Sequence, residues 1–193
     1  MQSKTITKKT TTMKMIKKLT SMHKFFITAS FMLFMNFISA QTAAPKSPAA
    51  TATGTLKSGT TVTISYSSPS VRDRKIWGAL VPMDSVWRAG ANAATQIEFD
   101  KAVKIDGNTL AAGKYTIYMV PTVEKWIVIF SSQTGQPGMN HDGSSTLDLT
   151  KVVLRGLANT KKSNEFKESL AYTINEKGMV LSWEKLDVIL PIK

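Results

Sequence analysis

From residue 60 onward the chain alternates apolar and polar residues with a period of two. No long segment carries the 3.6-residue period of an amphipathic helix. "TTVTISYSS" sets Val62, Ile64 and Tyr66 on one side and Thr61, Thr63 and Ser65 on the other, the mark of a half-buried strand. "TQIEF" and "AVKI" are two more short strands. "KIDGNTL" puts Asp106-Gly107 at a tight turn. Lys114 to Val120 is a strand stopped by Pro121. The run "WIVIF" (126–130) is apolar on both faces, which predicts a central strand covered on both sides. A loop follows over 132–145, then "LDLTKVVLR", "SLAYTINE" and "MVLSWEKLDVILPIK", with a turn at 175–178. Residues 161–167 are expected to hold at most a helical turn. Short strands at such spacing imply an all-β sandwich or barrel, expected over 60–193 as a single β-sandwich or jelly-roll-like domain.

The first sixty residues read differently. Lys17, Lys18 and Lys24 precede "FFITASFMLFMNFI" (25–38), a run of fourteen residues without a charge. A membrane span needs about 20 residues, so this run has the length of a signal-peptide core. Ala40 is small at the expected cleavage position, with Ile38 two residues before it. Residues 1–40 are therefore expected to be a signal peptide cut after Ala40, sending the chain to the periplasm or beyond. Met22 is an alternative start that leaves a compact signal. Residues 41–59, "QTAAPKSPAATATGTLKSG", hold one large apolar residue, Leu56. Such a stretch buries too little to offset its ordering entropy, and it is expected to be a flexible linker.

The formal net charge of +12 suggests a nucleic-acid binder until it is located. Residues 1–40 carry seven Lys and no acid, which leaves eighteen basic against thirteen acidic residues in the remainder. A surplus of +5 on an exported domain gives no reason to expect nucleic acid as a partner. The chain has no cysteine, so disulfides, thiolate metal sites, a Cys nucleophile and a lipid-modified N-terminal Cys are all excluded. His141 is the single histidine after residue 40. With no His/Cys cluster, no H-E-x-x-H and no Gly-x-Ser-x-Gly, no metal site, cofactor or catalytic residue is expected. His141 with Asp142, in "GMNHDGSS", is a candidate loop site. Glu98, Asp100, Asp106 and Asp142 are carboxylates whose pairing sequence cannot place.

Two stretches have the residue types of a binding surface. "VRDRKIW" supplies Arg72, Arg74 and Trp77. "VPMDSVWRAGANAATQIEF" supplies Trp87, Arg88 and Asn92 between two turn-like places. Trp stacks on sugar faces or cations, Arg forks onto carboxylates, and Asn offers both a donor and an acceptor. The competing reading makes Trp87 a core residue and Arg88 a buried hydrogen-bond hub, satisfying loop carbonyls or pairing with Glu98 or Asp100.

Several of these pieces occur together elsewhere. Tyr66-Ser67-Ser68-Pro69, Arg74-Lys75-Ile76-Trp77-Gly78, Val86-Trp87-Arg88-Ala89-Gly90-Ala91-Asn92, Ala112-Gly113-Lys114-Tyr115, Trp126 and the closing "LSWEKLDVILPI" resemble the exported domain-of-unknown-function family 2911 of Gram-negative envelopes. The similarity covers about 60–193. It implies a secreted β-rich domain and supplies no activity and no catalytic residues. Relatives often carry Trp-Gly-x-Tyr after the strand of Trp126. Here the loop reads Gln136-Pro137-Gly138-Met139, which implies an altered ligand surface.

The expected function is an exported, non-catalytic domain that binds a polar ligand, such as a glycan or peptide, or an envelope partner. The alternatives are a structural or interaction module without a small ligand and, behind it, an envelope hydrolase using carboxylates or His141. Membrane contact is expected only through the signal peptide before cleavage.

Overall fold

The computed structural model describes residues 45–193. The expected signal peptide, its cleavage after Ala40 and the first part of the expected linker lie outside the described residues. Nine strands follow one another: β1 (Ala49–Thr55), β2 (Thr61–Ser67), β3 (Gln96–Phe99), β4 (Val103–Ile105), β5 (Asn108–Leu110), β6 (Gly113–Val120), β7 (Lys125–Ser131), β8 (Val152–Asn175) and β9 (Gly178–Pro191). Seven of them form one antiparallel sheet in the order β1-β2-β3-β6-β7-β8-β9, and β4 and β5 make a separate hairpin.

The all-β expectation stands, but the two packed layers of a sandwich are replaced by one strongly curled sheet, a half-barrel. Curling is visible where elements distant in sheet order meet. The far half of β8 returns over β1 and the end of β2: Leu170 N donates to Pro69 O (2.9 Å), Val71 N to Glu168 O (2.8 Å) and Lys57 N to Glu176 O (3.0 Å). The Ser68 hydroxyl donates to Leu170 O at 2.6 Å. What bends β8 is a pair of register shifts against β9, between Lys162 and Lys167 and between Lys167 and Ala171. Extra residues on one strand of an antiparallel pair increase its local twist and bend it. The helical turn that 161–167 could have held does not form: this polar stretch belongs to a bent strand. Its mostly exposed side chains show no period from which its conformation could be read.

The segment 41–59 also departs from expectation. β1 runs through it, paired in full register with β2 from Ala49↔Ser67 to Thr55↔Thr61. Ala50, Ala52 and Gly54 take the half-buried positions, and Leu56 is buried in the hairpin connection. The physical reason is size. A Cβ on Gly54 would lie 2.7 Å from both the Cβ and the carbonyl oxygen of Ile174, so this strand must have small inward residues to pass β8. Small residues leave no hydrophobic period to read.

Other expectations match. Asp106 and Gly107 both have positive φ (49° and 82°) in the two-residue β4–β5 connection, the geometry of a type I′ turn. Val103, Ile105 and Leu110 of that hairpin join the main core. β7 is covered on both faces: Trp126, Val128 and Phe130 face the main core, while Ile129 joins Ala94 and Tyr118 in a second cluster. Leu147 packs on that second cluster from the β7–β8 loop. The Tyr118 hydroxyl holds the same loop, 2.9 Å from the Thr146 hydroxyl and accepting from Gln136 Nε2 at 2.9 Å. The stretch just before β8 is a single 3-10 turn (Leu149–Lys151) started by Asp148, whose carboxylate accepts from Thr150 N.

Candidate functional site

The residues between β2 and β3 form a long connection across the mouth of the half-barrel. It is held by backbone pairing rather than by regular structure. Trp87 exchanges two hydrogen bonds with Met119 of β6 (2.7 and 2.8 Å), so the loop continues the line of β3 along β6. Five non-glycine residues here adopt positive φ: Arg72, Asp73, Asp84, Ala89 and Asn92. Asp and Asn tolerate that region, whereas Arg and Ala are strained by it. The Ala89 carbonyl is the anchor. It accepts from the Thr95 hydroxyl (2.9 Å) and from the Tyr172 hydroxyl (2.7 Å), both buried. Burial, first, and the neighbouring Tyr66, second, push the Tyr172 phenol well above its usual pKa, so it remains a donor throughout the physiological range.

All four tryptophans meet at this end. Trp77 lies edge-on to Trp126 (5.1 Å between centroids), Trp183 (5.6 Å) and Trp87 (6.2 Å). Trp87 stacks on Trp183 with ring planes 13° apart. Trp126 and Trp183 are buried, while Trp77 and Trp87 are half-buried. This answers half of the question posed by the Trp-Arg pair: Trp87 is an aromatic core residue with one side left open.

Arg88 is different. It is half-buried, and its Nε is buried without an acceptor. Neither ion pair among the described residues, Lys114–Glu98 or Lys167–Glu165, involves it. Burial lowers its pKa, yet a guanidinium stays charged at neutral pH. The pairing with Glu98 or Asp100 does not occur. Glu98 faces Lys114 at 3.2 Å, and Asp100 accepts from Thr61 N at 2.8 Å. Replacing Arg88 by Met therefore removes a partly desolvated cation and leaves no partner stranded. Arg88→Met is expected to change stability by less than about 1 kcal/mol in urea unfolding. A loss of about 3 kcal/mol would instead mark Arg88 as an architectural hub.

Beside Arg88 lies a cleft of about 580 Å³. Arg74, Trp87, Arg88 and Asn92, four of the residues singled out in the sequence, line it together. Arg74 is aimed by its own neighbours, its Nε donating to Val71 O (3.0 Å) and its Nη2 to Ser70 O (2.6 Å). The Asn92 side chain is committed to Ser47 O at 3.1 Å. Two of the candidates stand apart. Arg72 reaches Lys46 O at 2.6 Å, and Trp77 is taken up by the aromatic cluster. His141 and Asp142 do not line the cleft either. Asp142 is engaged in a local turn, accepting from Ser144 N (2.9 Å) and the Ser144 hydroxyl (2.6 Å). These bonds lower its pKa. Asp106 accepts from Leu157 N at 2.6 Å, so the four candidate carboxylates serve four separate local contacts. Among the described residues no group of His, Cys, Asp and Glu is placed to hold a metal ion.

Sequence reasoning marked the loop over 136–139 as a departure bearing on a ligand surface, but did not place it beside Arg88. Gly138 and Met139, on the β7–β8 loop, line the cleft, as does Ser47. Gly138 N donates to Asn92 O at 3.1 Å. A Cβ at this position would come within 2.4 Å of that same oxygen and collide with Arg88 Cδ. The glycine lets the loop lie flat against the arginine stem. The Pro137-Gly138 turn specifies a bend, and the departure from the relatives' pattern marks the loop, but neither names Arg88 as its neighbour.

No curated protein and no solved structure matches the chain. A family model does match, over residues 47–192, which takes in all nine strands and both walls of the cleft. The chain therefore belongs to the family described as "Protein of unknown function (DUF2911)".

Proposed function

We propose that this protein is an exported, non-catalytic binding module that seats a polar ligand, such as a glycan, a peptide or an exposed part of an envelope partner, in the cleft beside Arg88. One observation supports ligand binding above all: among the described residues Arg88 makes no ion pair and its Nε has no acceptor, at the wall of a cleft of ligand size and next to a half-open tryptophan. The export part rests on the lysine-flanked apolar run at 25–38, and N-terminal sequencing of protein recovered from the envelope fraction is expected to start at Gln41. A hydrolase finds less support. Neither a carboxylate nor a histidine lines the cleft, whereas hydrolysis needs an acid and a base facing one substrate.

The aromatic cluster supplies the readout. Trp87 lines the cleft and contacts Trp77, Trp126 and Trp183, so occupancy is expected to quench or shift the shared emission. The protein is titrated with a panel of glycans and short peptides while emission and melting temperature are followed. A saturable change in either supports the reading. A panel that moves neither would remove small-ligand binding and leave the interaction-module alternative.

A further inference from the structure

The chemistry of the cleft walls narrows the ligand class, on the premise that the cleft is a binding site. Its charged lining consists of Arg74 and Arg88, with no acidic side chain. Arg74 spends two of its donors on Ser70 and Val71 carbonyls. Among the described residues Arg88 makes no ion pair, and its Nε, buried beside Gly138, has no acceptor, which leaves the outer guanidinium nitrogens to face a ligand. A guanidinium presents five N–H donors in a planar fork that matches a carboxylate in bidentate fashion. The opposite character appears at the rim. Leu80, Val86 and Met139, which also line the cleft, are 44%, 37% and 43% exposed, so three large apolar side chains stand open to solvent around the arginine.

We propose that the cleft binds a carboxylate attached to an apolar body, with Arg88 taking the carboxylate and Leu80, Val86 and Met139 covering the apolar part. A neutral sugar leaves the guanidinium without a counter-charge and sets hydroxyls against apolar side chains. A phosphate dianion finds two cations here, but it is strongly hydrated and has no hydrocarbon portion to set against that rim. A monoanion with a short hydrocarbon portion satisfies both walls. Two sources share this chemistry, the free C-terminus of a peptide ending in an apolar residue and a medium-chain fatty acid.

The experiment is a calorimetric titration at low ionic strength of protein purified after expression of the full chain. The probes are N-acetyl-Ala-Ala-Leu with a free carboxylate, the same peptide as its C-terminal amide, octanoate and octanol. At least one carboxylate is expected to bind, and its neutral counterpart to bind roughly 10- to 100-fold more weakly, the range for losing a charge-assisted hydrogen bond. Which of the two binds more tightly identifies the source. Arg88→Met is expected to erase the gap between charged and neutral forms while its melting temperature shows that the fold is retained. Arg88→Lys is expected to recover only part of the gap, because an ammonium lacks the fork. Equal binding of charged and neutral probes, or an unaltered gap in Arg88→Met, overturns the proposal. If the carboxylates fail but a glycan from the panel binds, the ligand class is wrong and the cleft remains a site. If every probe and the whole panel fail, the binding reading beneath it falls too.

Discussion

Trp183→Ala is expected to destabilise the domain by about 3–5 kcal/mol, the range for emptying a buried tryptophan site. Trp183 is 1% exposed. It lies near-parallel and offset to Trp87 with centroids 6.2 Å apart and edge-on to Trp77 at 5.6 Å, and each aromatic contact contributes about 0.5–1.5 kcal/mol beyond area burial. The proposed binding cleft is expected to change as well, because the ring that supports Trp87 disappears. Urea unfolding gives the number. Trp77→Phe is the informative comparison: Trp77 Nε1 is buried with no acceptor, so Phe removes an unsatisfied donor, and its cost is expected to be well below that of Trp183→Ala. If Trp183→Ala lost less than about 1 kcal/mol, the four rings would not form a packed core as described here.

Gly54→Val is expected to cost roughly 2–3 kcal/mol, near the upper end for overpacking. At an ordinary strand position the same change is favourable by up to about 1 kcal/mol, because valine suits a strand better than glycine. The sign therefore discriminates. Here the new side chain meets the Cβ and the carbonyl oxygen of Ile174, both 2.7 Å from where its Cβ must sit. The carbonyl belongs to the backbone of β8 and cannot rotate away. β1 is expected to lift from β8 and open the half-barrel at that edge, which limited proteolysis between residues 45 and 60 detects. Valine at Thr53, an outward position on the same strand, is expected to show no such loss. A stabilised Gly54→Val protein would mean that β1 does not dock on β8.

How far the sequence could be read follows from what each side chain must do. Val62, Ile64, Ile97 and Phe99 alternate because they are large and one face of their strand is buried. That signal survives in the sequence and placed most of the strands within a residue or two. β1 has no such signal, since its inward positions are Ala50, Ala52 and a Gly54 that has no room for a side chain. The bent part of β8 has none either, since its side chains face water and its conformation is set by pairing with β9. At the site, Trp87 and Arg88 were legible as a pair. Their division into a core ring and an unpartnered cation was not, because it depends on Trp183 and Gly138, each about fifty or more residues away in the chain.

By itself the sequence determined the all-β class, the family resemblance, the Asp106-Gly107 turn and the absence of thiol and histidine-cluster chemistry. These depend on local period, residue type and count, which folding does not alter. Tertiary structure alone decided that the strands make one curled sheet instead of two layers, that β1 closes against β8, and that Arg74 and Arg88 share a cleft with Met139. These depend on which distant segments touch. Two packed sheets and one curled sheet bury the same alternating pattern, so the pattern cannot choose between them. The choice rests on the bend in β8 and on a glycine small enough to let β1 pass.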